Sequence, residues 1–169
     1  MDYQPRFWIQ YHNYDNIGFP AKELLKSKLK LQLNNFDHWI STSKPSILKS
    51  YGDTVFLILG ITVINKKQYF LWSKTIVDEV VQLKDKNGNF NAHGVQTFME
   101  KPVWLNGESG FDTFLNFCGN FGLGFHNISK NDFVATLENL SNTHRFPADK
   151  RITYKQYLKD FWYSLLDYM

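Results

Sequence analysis

Five histidines, one cysteine and a few acidic pairs are the residues of this chain that could carry bond-breaking chemistry. His12, His38, His93, His126 and His144 are scattered, with no His-x-x-x-His or Cys-x-x-Cys spacing. Spacing therefore supplies no pair of metal ligands on one turn or loop. Cys118 with a distant histidine is a conceivable thiol nucleophile, but it follows Phe114 and Leu115 at helix spacing, which predicts a buried, inert thiol. Asp78 and Glu79 fall in a strand-like run, where successive side chains point to opposite faces, so they are not expected to aim at one metal. Gly119-Asn120-Phe121-Gly122-Leu123-Gly124 lacks the lysine of a phosphate loop and reads as a tight loop between helices. No Gly-x-Ser-x-Gly elbow is present. The motifs imply no catalytic residue, metal or cofactor; an enzyme acting on a nucleotide, with His12, Asn13 and Asp15 near the reacting group, stays open as a third reading.

Residues suited to binding are more abundant. Aromatic side chains make up 17% of the chain, with 15 Phe, 9 Tyr and 5 Trp. Rings fill cores efficiently, and they also build stacking surfaces for bases and cages for methylated groups. The net charge is only +3, which excludes a protein that coats nucleic acid by charge alone. Its distribution is uneven: residues 1–75 hold ten Lys/Arg against five Asp/Glu, and residues 76–169 hold nine against eleven. A one-sided basic surface fits contact with phosphates, and solvated lysines on a helix are the competing reading.

These residues must be positioned by strands in the first two thirds and helices in the last third. Phe7 to Tyr11 reads as a buried opening strand, in which Trp8 is a core residue. Pro20 starts a helix carrying Leu25 and Leu29 on one face and Lys22, Lys26 and Lys30 on another, ended by Asn34-Asn35. Phe36 to Ile40 is a short extended piece, and Pro45 begins a helical turn that closes near Gly52. Thr54–Val63 and Gln68–Leu83 form a hairpin about Asn65-Lys66-Lys67. Asn87-Gly88 marks a second reversal, and Phe90 to Leu105 is irregular, with one or two short strands. Helices follow from Phe111, after Ser129 and Asp132, and after Thr153, whose spacing to Gln156 satisfies a capping box.

The order predicts an α+β fold, with a small, curved, mainly antiparallel sheet flanked by helices. At 169 residues the chain is the size of one domain, 1–169, with a sheet core over 6–105 and a helical part over 106–169 packed on it. The longest apolar run, Val55 to Ile61, is too short to span a bilayer, and no secretory signal opens the chain. A lone cysteine rules out an internal disulfide and fits a reducing cytoplasm.

Two stretches carry a resemblance. The first is Phe7-Trp8-Ile9-Gln10-Tyr11-His12-Asn13-Tyr14-Asp15-Asn16-Ile17. The second is His38-Trp39-Ile40-Ser41-Thr42-Ser43-Lys44-Pro45, followed by Tyr51-Gly52-Asp53-Thr54-Val55-Phe56-Leu57-Ile58. An aromatic strand, a polar loop, a helix, a Trp-x-Ser-Thr turn and a Gly-Asp-led strand form an ordered pattern that resembles the PUA-like superfamily and, within it, the EVE and YTH domains. The likeness covers residues 6–83. It implies a barrel-like sheet (a PUA-like barrel) that takes one modified base into an aromatic pocket.

On that resemblance Trp39 is a cage wall. Gln10, Tyr11, His12 and Asn13 read the base edge, and Ser41 and Thr42 belong to the pocket rim. Trp72 and Trp104 are candidate second walls by residue type alone. Ser43-Lys44-Pro45-Ser46 stands where EVE domains carry an arginine-bearing stretch. Lys22, Lys26, Lys44 and Lys49 would contact phosphates, adding salt-dependent and sequence-blind affinity. The expected partner is DNA or RNA carrying a modified base, with a separate catalytic subunit compatible with that role and no membrane partner. The alternative is a protein–protein interaction module using the aromatic C-terminal helix, Tyr154 to Tyr168.

Overall fold

The structure, a computed structural model, describes residues 3–21, 32–33, 39–84, 89–122 and 124–168. The helix expected after Pro20, with Lys22 and Lys26, and the Phe36–His38 piece lie outside the described residues.

The fold is α+β. Its strands are β1 (Phe7–Asn13), β2 (Trp39–Thr42), β3 (Thr54–Val63), β4 (Lys66–Gln82), β5 (Phe90–Trp104) and β6 (Phe125–Asn127). Its helices are the single turn α1 (Tyr14–Ile17), then α2 (Phe111–Phe117), α3 (Phe133–Thr143) and α4 (Tyr154–Ser164). The six strands make one mixed sheet in the order β2-β5-β4-β3-β1-β6. Only β1 and β3 run parallel, with Phe7 opposite Thr54 and Asn13 opposite Gly60; every other pairing is antiparallel.

One face of the sheet is inner. Trp8, Ile40, Val55, Val77, Ala92 and Phe125, one from each of the six strands, share a buried cluster with Ile47. Six strands meet in one cluster only if the sheet curls, and it does so as a half-barrel. Further along the same face, Leu57, Leu59, Ile61, Val63, Phe70, Trp72 and Phe98 pack against Tyr154, Tyr157, Leu158, Phe161 and Leu165 of the C-terminal segment. Helix α4 therefore closes the inner face. The outer face carries Ile9, Phe56, Ile58, Leu71 and Met99 beneath Phe111 and Phe114 of α2 and Phe133, Leu137 and Leu140 of α3. Strand residues reach the two faces alternately because successive Cβ atoms point to opposite sides. That is why β3 is buried along nearly its whole length.

Local chemistry sets the element ends. Ile64 and Asn65 both have positive φ, 47° and 62°, which gives the β3–β4 reversal the twist of a two-residue hairpin, one residue earlier than the sequence suggests. The hydroxyl of Thr153 accepts from the Gln156 amide at 3.1 Å and caps α4. The reciprocal half of that box is absent, because the Gln156 side chain donates to Asp160 instead. Ser129 does not cap α3; its hydroxyl accepts from the Phe7 amide at 2.9 Å and ties the loop to β1.

Three expectations change. Phe90–Leu105 is one long strand through Trp104, not one or two short ones, and the β4–β5 ladder shifts register between Leu71 and Ser73 and between Val77 and Glu79. These bulges interrupt the alternation that sequence reading relies on. The glycine-rich 119–124 segment leads from a helix into β6 rather than into another helix. The second bulge leaves Asp78 as an extra residue, so strict alternation fails there and Asp78 and Glu79 are both exposed.

Candidate functional site

The sheet sorts the expected pocket residues onto two faces. Ile40 lies in the inner cluster, so its neighbours Trp39 and Ser41 point to the outer face, where both are exposed. Gln10 and His12 share the inner face with Trp8. Trp39 and the pair Gln10 and His12 are therefore on opposite sides of the sheet. Along the ladder Trp39 is level with His93 and Glu79, whereas Gln10–Asn13 are level with Leu57–Gly60.

Several of the named residues are occupied within the fold. Tyr11 stacks on Phe121 with ring centroids 5.1 Å apart, and burial pushes its phenol up to about 12. His12 Nε2 lies 2.7 Å from the Gly18 carbonyl. The Asn13 side-chain oxygen accepts from the Asp15 amide and from Lys67 Nζ at 2.8 Å. Asp15 in turn accepts from Lys67 and from the amide and hydroxyl of Thr62. Burial alone would raise the Asp15 carboxyl, but these donors outweigh it and hold it below its ordinary value. The polar stretch leaving β1 thus folds its own loop onto the β3–β4 hairpin. Thr42 accepts from the Lys44 amide at 3.2 Å. Trp104 donates to Gln68 at 2.7 Å and packs on Tyr168. Lys44 and Lys49 are exposed on the Pro45–Lys49 turn and its leading residue, with Ile47 of that turn buried at the inner end of the half-barrel.

Trp72 is fully buried, its ring set against Tyr157, Phe161 and Phe19. It offers no exposed wall. Its indole nitrogen nevertheless has no hydrogen-bond partner, and it is not alone. Gln10 Oε1, Thr75 Oγ1 and Gln96 Oε1 are also buried without a partner.

The pairing brings these groups together. Gln10 is opposite Leu57, and Leu57 opposite Ser73, the residue after Trp72. Thr75 is opposite Gln96 in the next row, and Gln96 Nε2 donates to Ser73 Oγ across the diagonal at 3.0 Å. A polar belt therefore crosses the inner face between two apolar clusters. It contains no Asp, Glu, Lys or Arg. An unpaired buried polar group costs about 1–3 kcal/mol, so groups of this kind call for a partner, whether ordered water or a bound molecule. Gln10 Nε2 donates to the Tyr11 carbonyl at 3.1 Å, which leaves its Oε1 as an acceptor, whereas the Gln96 amide, bonded to the Ser73 hydroxyl, can turn over and offer either a donor or an acceptor. The belt suits a neutral guest that both donates and accepts hydrogen bonds.

Thr75 and Gln96 were not legible as site residues. Polar residues inside otherwise apolar strands were the available signal. Sequence reading took the β5 segment as irregular, so Gln96 had no face to be assigned to.

An anchor holds the open end of the half-barrel. Asp53, with a fully buried side chain, accepts from Trp8 Nε1 at 2.9 Å, from the Arg6 amide at 2.9 Å, from Arg6 Nε at 3.1 Å and from the Tyr3 hydroxyl. Arg6 also donates to the Lys49 carbonyl, fixing the turn that carries the lysines. The Gly-Asp lead of β3 is the sequence trace of this knot.

Cys118 is buried, and burial pushes its thiol up to about 12, as suits an inert packing residue. Among the described residues no three His, Cys, Asp or Glu side chains group as metal ligands, and no helix is long and apolar enough to cross a membrane. The α4 residues Tyr154, Tyr157, Leu158 and Phe161 belong to the core, while Trp162 and Tyr163 of α4 and Leu166 of the turn after it remain exposed, Trp162 with its ring edge-on to Tyr14 and Phe19.

The curled mixed sheet with flanking helices is compatible with a PUA-like architecture and is shared by other folds. Comparison with known proteins found no matching family model, no similar curated protein and no similar solved structure.

Proposed function

We propose that the chain is a nucleic-acid-binding reader that takes one extruded base onto the inner face of its half-barrel. The observation that carries this reading is the uncharged belt of Gln10, Thr75 and Gln96, three buried polar groups with an unpartnered oxygen in adjacent rows of one sheet face. An extruded base is neutral and flat, and its edge carries both donors and acceptors. Apolar side chains beside the belt, Val55 and Leu57 among them, suit its faces. The resemblance to EVE and YTH domains supports the same class of ligand, a modified base in DNA or RNA. Lys44 and Lys49, exposed at the end of the half-barrel, suit the flanking phosphates.

On this reading Trp39 is not a wall of the base pocket, because it lies on the other face. Thr75→Val and Gln96→Leu keep shape and remove the polar atoms. Binding of short oligonucleotides, methylated or hydroxymethylated against unmodified, should weaken by about five- to a hundred-fold in these variants, with folding intact by circular dichroism. Trp39→Ala should leave that affinity within about two-fold of wild type. Unchanged binding in both belt variants would remove the belt as the site.

A second reading has its own observation. Trp162 and Tyr163 of α4 and Leu166 of the turn after it form an exposed aromatic and apolar group, a surface of the kind proteins use to dock. If no oligonucleotide binds even at low salt, a protein-interaction role for this surface becomes the better account.

A further inference from the structure

The outer face of the sheet carries a second constellation that the base-reader proposal does not use. Trp39 on β2 is opposite His93 on β5, and His93 is opposite Glu79 on β4. Residues directly opposite in an antiparallel ladder project to the same side, so indole, imidazole and carboxylate form one row across three strands. Trp39 is 41% exposed, and its ring lies 6.1 Å from His93 at a tilt of 32°. Glu79 is exposed, and so is Asp78 in the bulge beside it. Neither takes part in an ion pair among the described residues.

One row further out, Asn91 is opposite both Ser41 and Val81. It shares the outer face, because its neighbour Ala92 is in the inner cluster. Asn91 is only 6% exposed, and its Oδ1 has no hydrogen-bond partner. On the other side of the row Ile76 and Val95 face each other, 50% and 66% exposed. The nearest lysine along β4, Lys74, is engaged by Glu138 and Asn142 of α3.

An exposed indole, two carboxylates beyond the intervening His93 with no ion pair among the described residues, and a nearby unmatched amide oxygen are together complementary to a cation with several N–H donors, and they repel phosphate. We propose that this row is a docking site for an arginine side chain of a partner polypeptide. The guanidinium meets the Trp39 ring and donates toward Glu79, while the apolar part of the partner covers Ile76 and Val95. Arginine suits the row better than lysine, because a planar guanidinium stacks on a ring and its five donors reach several acceptors at once. The charge of the row selects this partner over a nucleic-acid strand, and the site is separate from the inner belt.

The test uses the full chain and blocked pentapeptides, Gly-Ser-Arg-Ser-Gly and its citrulline counterpart, followed by NMR chemical-shift titration. The arginine peptide should bind with shifts at Trp39, His93 and Asn91, and citrulline, isosteric but neutral, should bind at least about five-fold more weakly. Trp39→Ala should weaken the arginine peptide about two- to thirty-fold, and Glu79→Gln about two- to five-fold with a reduced salt dependence. Trp39→Phe should restore most of the affinity. Both positions are exposed, so the variants are expected to fold. Equal affinity for the arginine and citrulline peptides, or binding of neither, would overturn the proposal. So would a Trp39→Ala effect on oligonucleotide binding in place of peptide binding. The inner-belt reading does not depend on these outcomes, since Thr75→Val and Gln96→Leu leave this row untouched.

Discussion

At the scale of residues, most of the chemistry in this chain is structural. Asp53 accepts hydrogen bonds from Tyr3, Arg6 and Trp8 while fully buried, and it joins the starts of β1 and β3 to the turn bearing Lys44 and Lys49. Asp53→Ala strands the buried indole N–H of Trp8 and frees Arg6. Urea denaturation should show a loss of about 2–4 kcal/mol; a loss below about 0.5 kcal/mol would mean the knot contributes little. The resemblance picked out Gln10 and Trp39 together, yet it could not say that the sheet would send them to opposite faces. Facing depends on which residues of a strand enter the core, and for the short β2 only Ile40 decides it. His12 and Asn13 are polar and follow an apolar strand, as ligand-reading residues do. They bond their own loop for the same reason, because a chain leaving a sheet must satisfy its backbone groups.

At the scale of elements, strands with long apolar runs were legible even where bulged, as β4 is, and the more polar β5 was not. β1, the β3–β4 hairpin and α4 followed from apolar runs, a turn signal and a cap. β5 did not, because Gly94, Gln96 and two register shifts break its alternation. β6 has three residues after a glycine-rich segment, too few for any period to register. Gly94 has a steric role at the second bulge: a Cβ there would lie 1.9 Å from the Ile76 carbonyl oxygen, which is backbone and cannot swing away. Gly94→Ala should cost about 2–4 kcal/mol. Gly110→Ala, at φ +83° with open space around it, should cost only about 1–2 kcal/mol from the left-handed backbone. Thermal unfolding of the two variants checks the order, and a smaller loss at Gly94 would contradict the ladder register described for β4 and β5.

At the scale of the whole molecule, the order of elements foretold a mixed fold and the composition a ring-rich core, and most of the aromatic surplus is core. A curved sheet was expected from the order of elements and its barrel-like form only through the family likeness, since no local pattern encodes how far a sheet wraps. Burial also gives the molecule a pH response. The Cys118 thiol rises from an ordinary 9.0, and the Tyr11 phenol from an ordinary 10.0, each to about 12. The unfolded chain therefore ionises first, and the stability these groups contribute is complete below about pH 8 and is lost as pH climbs toward 12. Denaturation midpoints should fall between pH 8 and pH 11, and Cys118→Ala should flatten part of that fall, on the order of the thiol's share. A midpoint that holds constant to pH 11 would contradict the burial described for both groups.

The account rests most heavily on the inner belt. The direct measurement is fluorescence binding of methylated, hydroxymethylated and unmodified oligonucleotides to the wild-type chain, Thr75→Val and Gln96→Leu, at two salt concentrations. The account predicts preference for one modification, weaker binding at high salt, and loss of that preference in both variants while each remains folded. Wild-type affinity and preference retained in both variants would contradict it.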